Sequence, residues 1–219
     1  MTGPGEHGHD RLARGADLRS EVDQLLAVLA AEGPAGSVVG FGPETHRYLA
    51  PLAQAGFRVT AADPDPPAGR TFDAALVLGS ALGGLVANDR MLTALAGYAG
   101  CLRPGGLMLL DLVDGQTVLG ARLPGRGLRE LAGPDGRRMI GYADEVDTDE
   151  QVYRLTVRTW RLAEDRVVDR SIVVRDVRYF LPRELAFLLS VSGFELAGTA
   201  PLAGQPDPAW LRLAWARKA

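Results

Sequence analysis

Cysteine and lysine are almost missing from this chain of 219 residues. Cys101 is the single cysteine, which excludes a disulfide framework and a multi-cysteine zinc site. Lys218 is the single lysine, so the basic charge is carried by arginine. The 24 basic residues fall short of the 27 acidic ones, giving a net charge of -3. That balance argues against a nucleic-acid protein relying on net positive charge. No apolar run approaches the ~20 residues of a membrane span. The start, MTGPGEHGHDRLARG, lacks the apolar core of a signal peptide. A cytoplasmic protein without membrane or nucleic-acid partners is predicted. Histidine is scarce too: His7 and His9 lie in a stretch of Gly, Pro and charge, read as a loose tail over 1–15. His46 stands alone in the remainder, and no metal site is expected.

What is present suits one globular domain, 16–219, of 47% apolar and 23% charged residues. From Asp17, which can cap a helix, Val22, Leu25, Leu26 and Leu29 recur at helical spacing until Gly33-Pro34 stops them. Ser37–Phe41 reads as a buried strand, and a helix follows from about Glu44 to Gln54. Phe57–Ala62 and Phe72–Leu78 read as strands, and 88–101 as a helix capped by Asn88. Leu102–Gly106 reads as a turn before a strand, Leu107–Leu110, that ends at Asp111. Strand and helix in alternation predict a parallel sheet covered by helices. After about residue 136, three extended segments follow in a row: Arg138–Val146, Gln151–Leu162 and Arg166–Phe180. They predict an antiparallel meander over 136–180 with Tyr153, Leu155, Val157 and Thr159 on one face. Arg154, Thr156, Arg158 and Trp160 fall on the other, read as a solvent face laced with salt bridges. Pro182 opens a helix to Val191, and strands Phe194–Thr199 and Trp210–Arg217 end the chain.

Several stretches in this order carry a resemblance. They are Val38–His46, Phe57–Asp63, Phe72–Ser80, Leu102–Asp111, Tyr179–Glu195 and Trp210–Arg217. From about residue 20 to 218 the chain resembles the class I S-adenosylmethionine-dependent methyltransferases. The nearest group is the small bacterial enzymes with a β-meander before the last helix. The resemblance implies a Rossmann-like α/β fold and S-adenosylmethionine as cofactor. It also implies a first strand ending in an acid and a turn in the style of Asp-x-Gly-x-Gly-x-Gly. Glycines there let the backbone approach the cofactor, and the helix N-terminus receives its carboxylate.

Here that stretch reads Gly40-Phe41-Gly42-Pro43-Glu44-Thr45-His46. Gly40 stands at the acid, and Glu44 and His46 replace two glycines. Glu44 brings negative charge to a helix N-terminus, where the dipole favours it, but it would repel a cofactor carboxylate. Asp63 is kept where the family holds the ribose. Only eight residues then separate it from Phe72. A βαβ crossover needs at least ~10–12 residues, whereas eight Pro-rich residues at ~3.1 Å each reach ~25 Å and return directly to the next strand. The third strand and its helix are therefore predicted missing, with the second strand left as an exposed edge.

By position in the family motif, Gly42, Glu44, Asp63 and Ser80 are the cofactor-binding candidates. His46, Asp111 and Asp114 are the acid/base candidates, near the carboxyl ends of the strands where such sheets bind ligands. Cys101 is read as buried and inert. Three functions stay open. The first is a non-methylating structural or regulatory partner with a degenerate S-adenosylmethionine site, joined in a homo- or hetero-oligomer through the second-strand edge or the meander. The others are an active methyltransferase on a small molecule and a repurposed cyclase or isomerase of bacterial secondary metabolism.

Overall fold

The computed structural model describes residues 18–33, 36–62, 69–120, 126–133, 136–163, 166–204 and 211–219. The expected tail, the Asp17 cap and Asp63 lie outside the described residues. Apolar spacing in the first helix sets the frame. α1 (Leu18–Glu32) buries Val22, Leu25 and Leu29, the residues its period marks, and stops at Gly33. β1 (Ser37–Phe41) is buried, and a 3₁₀ turn (Pro43–Thr45) leads into α2 (His46–Gln54). The predicted helix from Glu44 is thus a tight turn first, with Pro43 at its start. β2 (Arg58–Ala62) and β3 (Phe72–Val77) follow, then α3 (Asn88–Cys101).

Asn88 does not cap α3. Ala87 takes the cap position, and the Asn88 side-chain oxygen accepts a hydrogen bond from Arg178 instead. β4 spans Leu102–Asp114, longer at both ends than the sequence suggested. The Arg-Pro-Gly-Gly turn is absorbed as an irregularity. Pairing with β3 jumps from Phe72–Leu102 to Ala74–Leu107, and Gly105 sits at φ +71°. α4 (Gly115–Gly120) closes this half.

β1 pairs in parallel with β2 on one side and β3 on the other, and β3 pairs in parallel with β4. The last strands, β9 (Phe194–Pro201) and β10 (Leu211–Lys218), pair antiparallel, and β10 lies antiparallel against β4. The central order is therefore β2-β1-β3-β4-β10-β9. β2 is an edge, and among the described residues no third strand or helix follows it before β3. Alternate strand residues divide the core. Val38, Leu76, Leu109 and Leu213 meet α1 and α2 on one face. Val39, Val77, Leu110 and Ala214 meet α3 on the other, together with α5 (Pro182–Val191).

The meander has a strand more than the three predicted. β5 (Arg126–Gly133), β6 (Gly136–Asp147), β7 (Val152–Ala163) and β8 (Arg166–Phe180) pair in antiparallel succession. RGLRELAG in β5 has no apolar alternation, so only pairing with β6 marks it as a strand. In β7 the predicted alternation is seen: Tyr153 and Val157 are buried, Arg154 and Arg158 exposed. Salt bridges on this sheet include Arg161–Asp169 at 4.0 Å and Arg154–Asp176 at 2.6 Å. Among the described residues no helix is long and apolar enough to cross a membrane.

The two halves meet at Arg178. This buried guanidinium pairs with Glu184 at the start of α5 at 2.5 Å. It also donates to Gln151 Oε1 at 3.1 Å, to the Val86 carbonyl at 3.4 Å and to Asn88. Removing one partner of a buried ion pair costs about 3–5 kcal/mol. Arg178→Ala should lose stability on that scale in urea unfolding, while exposed Arg158→Ala should leave it nearly unchanged.

A second tie holds the amino ends of β1 and β3. Asp73 accepts hydrogen bonds from the Ser37 and Gly36 backbones and the Ser37 hydroxyl, and pairs with Arg103 at 2.6 Å. Burial alone would raise this carboxyl, but those hydrogen bonds and the Arg103 charge hold it below its ordinary value. A carboxyl depressed on folding adds stability that is complete above its ordinary range and is lost as pH falls through the depressed value. Asp73→Asn should therefore cost stability at neutral pH, and the gap from the unaltered protein should close in strong acid. Urea unfolding across that pH range reads it.

Candidate functional site at the switch in strand order

Strand order reverses between β1 and β3, and parallel α/β sheets bind ligands at the carboxyl ends of such a pair. Here the chain's own side chains pack together at that place. Gly42, at φ +85°, ends β1; a β-carbon on it would come within 3.3 Å of Ala81 Cβ and 3.6 Å of the Leu78 carbonyl. After β3 the chain turns at Gly79 (φ +81°) and Ser80 (φ +57°). Glu44 lies directly over Gly79. A β-carbon there would overlap Glu44 Cβ and sit 2.6 Å from its Cγ. Thr45 fills the neighbouring space. Its hydroxyl donates to the Phe41 carbonyl, and its methyl stands where any side chain at position 40 would begin. Gly40 is therefore demanded by packing under α2, and an acid at that position has no room.

Asp111 holds the turn in place. It is buried, and its Oδ1 accepts the Ser80 backbone N–H at 2.7 Å. From the other side the Gly83 carbonyl accepts the Arg178 N–H at 2.8 Å, and Gly83 has no room for a side chain against Val177. The loop after β3 is thus pinned by β4 on one flank and β8 on the other, with Glu44 across its tip.

The structure brings Gly42, Glu44, Ser80 and Asp111 together and gives Asp114 and His46 other surroundings. Asp114 accepts hydrogen bonds from the Gln116 N–H at 3.2 Å and the Thr117 hydroxyl at 2.9 Å, as the cap of α4, and faces Arg212 at 3.6 Å. His46 opens α2 with its side chain exposed and makes no hydrogen bond or ion pair to the described residues. Cys101 is buried, and burial pushes its thiol up to about 11. Among the described residues no His, Cys, Asp and Glu gather as a metal site.

A buried charge cluster beneath α2 was not anticipated. Glu21 is fully buried in α1, at 2.9 Å from Arg47 Nη2, and accepts a hydrogen bond from the Tyr48 hydroxyl. Arg47 stacks 4.8 Å from the Tyr48 ring centroid and also faces Glu44 at 3.8 Å. Burial, then the Glu21 charge, holds the Tyr48 phenol above its ordinary value. The signal was present in the sequence. Glu21 precedes Leu25 by four residues and so falls on the stripe that α1 buries, where an acid needs a partner.

Gly79 offers a direct test of the packing. Gly79→Ala meets both a left-handed backbone, costing roughly 1–2 kcal/mol for an L-residue, and the overlap with Glu44. In a Glu44→Gly background only the first cost remains. Thermal unfolding of the two single variants and the double variant should show Gly79→Ala tolerated better once Glu44 is trimmed. Equal costs in both backgrounds would exclude the contact.

No family model matches the sequence, and no curated protein does. Solved structures do match its shape. The sugar N-methyltransferase KedS8 from Streptoalloteichus sp ATCC 53650 is similar over 98% of this chain and 94% of its own, at 19% identity and a TM-score of 0.75. SAM-bound CalS10, an amino pentose methyltransferase from Micromonospora echinaspora involved in calicheamicin biosynthesis, matches over 100% of both chains at 18% identity and 0.70. The CcbJ methyltransferase from Streptomyces caelestis covers 93% of this chain and 91% of its own, at 16% and 0.72. The β2-β1-β3-β4-β10-β9 sheet, helices on both faces and inserted meander are the Rossmann-like fold of the class I S-adenosylmethionine-dependent methyltransferases.

Proposed function

We propose that this chain is a methyltransferase-fold protein that does not transfer methyl groups and serves instead as a structural or regulatory partner. One observation carries the reading: Glu44 packs over Gly79 across the switch between β1 and β3. Such a cleft needs bare backbone for a cofactor to approach. Glu44 and Thr45 occupy that approach, and the Glu44 carboxylate repels an anionic group. The residues present do not fit S-adenosylmethionine in the family's manner. Among the described residues no third strand supplies the wall beside the adenine that the resemblance implies. With His46 exposed and Asp111 and Asp114 in structural hydrogen bonds, these candidates form no acid/base set among the described residues.

A second reading, an active methyltransferase on a small molecule such as an amino sugar, draws on the full-length match to the SAM-bound amino pentose enzyme. Calorimetric titration of the purified protein with S-adenosylmethionine separates the two. No heat of binding is expected. Binding at micromolar affinity would sink the non-methylating reading and favour the second.

A further inference from the structure

β8 leaves a long edge bare. β7 pairs along one side of it, whereas β4 meets the other only at Tyr179 and Phe180. Among the described residues no strand pairs with that side over Arg166–Val177. Such an edge is a ready template for another strand. It also carries exposed large apolar residues, Ile172 (64% exposed) and Val174 (56%), with Val167 and Val168 near its start.

The backbone fixes which residues present their hydrogen-bonding groups there. The Tyr179 N–H turns toward β7 and bonds the Gln151 carbonyl, while the Arg178 N–H turns outward to Gly83. Successive residues alternate. Arg170, Ile172, Val174 and Asp176 therefore point their N–H and C=O groups out of the open edge, beyond the irregularity opposite Arg161 and Leu162. Their side chains share one face of the sheet and read cation, apolar, apolar, anion.

That order is complementary to its own reverse. We propose that two copies of this chain pair antiparallel along β8, about a two-fold axis at Val173. Arg170 then faces Asp176 of the second copy, and Ile172 faces its Val174, at both ends of the axis. Opposite charges directly across a strand pair stabilise it, and like charges do the reverse. Neighbouring registers fail this test. An axis at Ile172 sets Arg170 against Val174, one at Ser171 sets Arg170 against Ile172, and one at Val174 opposes Arg170 with Arg178. Asp176 is already oriented by Arg154, whose Nε and Nη2 lie at 2.6 and 2.8 Å, and its carboxylate has further lone pairs for a second arginine. The pairing joins two meanders into one continuous sheet and gives isologous closure that covers the β8 edge from Arg170 to Asp176.

Light scattering on the purified chain should give the mass of two chains. Ile172→Lys should bring it to one, with circular dichroism and melting temperature unchanged. Register is read by crosslinking. Val173 lies opposite itself in a non-hydrogen-bonded pair, about 4.5 Å between Cα atoms, inside the disulfide range of roughly 4.4–6.8 Å. Val173→Cys should oxidise to a linked dimer, and Ser171→Cys should not. A single-chain mass overturns the proposal, whatever other protein the chain binds. So does a dimer that survives Ile172→Lys, or a Ser171→Cys variant that crosslinks as readily as Val173→Cys. These readouts are separate from the S-adenosylmethionine titration, and the proposal does not rest on the loss of methyl transfer.

Discussion

The buried guanidinium of Arg178 is the point on which both halves of the protein depend. Its side chain joins β8 to α5, to the turn before β7 and to the start of α3. Its backbone N–H fixes the loop after β3 through Gly83. A cation taken out of water needs partners, and the Nη1 and Nη2 donors of Arg178 hold these four neighbours in one arrangement. Two consequences lie far apart. The loop is presented to Glu44, which packs on Gly79 at the switch in strand order. The phase of β8 is set as well, deciding which of its residues turn their backbone groups to the open edge.

At the switch in strand order the two turns meet by close fit. Gly40, Gly79 and Gly83 lie where side chains are excluded by neighbouring atoms, and at Gly40 and Gly79 those atoms belong to Thr45 and Glu44. In a cofactor site such glycines leave room for a ligand. Here much of the room is taken by the protein. Dense packing of this kind makes a small local change expensive, so a side chain at position 79 would require Glu44 to move. Glu44 is itself steadied by Arg47, which is anchored on the fully buried Glu21.

Much of the fold was legible in the sequence because its signals are local. Val22, Leu25 and Leu29 mark α1, Asn88–Cys101 is bounded as observed, and the eight residues after Asp63 are too few for a helix and strand. What escaped detection depends on distant partners. β5 exists through β6, Asn88 is diverted from its cap by Arg178, and the tie between Asp111 and the Ser80 N–H spans 31 residues. Sequence spacing placed Gly42, Glu44, Ser80 and Asp111 near the same sheet edge. It could not show that Glu44 lies on Gly79, because that contact depends on the backbone angles of two separate turns.

Loss of the third strand and gain of the meander leave two edges of unlike character. β2 is five residues long, with Arg58 exposed at its start and Thr60 in its middle, and it ends in the buried Ala62. Short strands bearing charge resist adventitious pairing. β8 is fifteen residues long, and its open stretch alternates exposed valine and isoleucine with charges of both signs. A shortened sheet thus exposes little sticky edge where the family holds its cofactor, while the lengthened meander concentrates it elsewhere. Selection against aggregation acts on both edges alike, so a long apolar edge persists only where something covers it. The reversed-charge pattern from Arg170 to Asp176 makes the same strand of another copy the cover with matching chemistry.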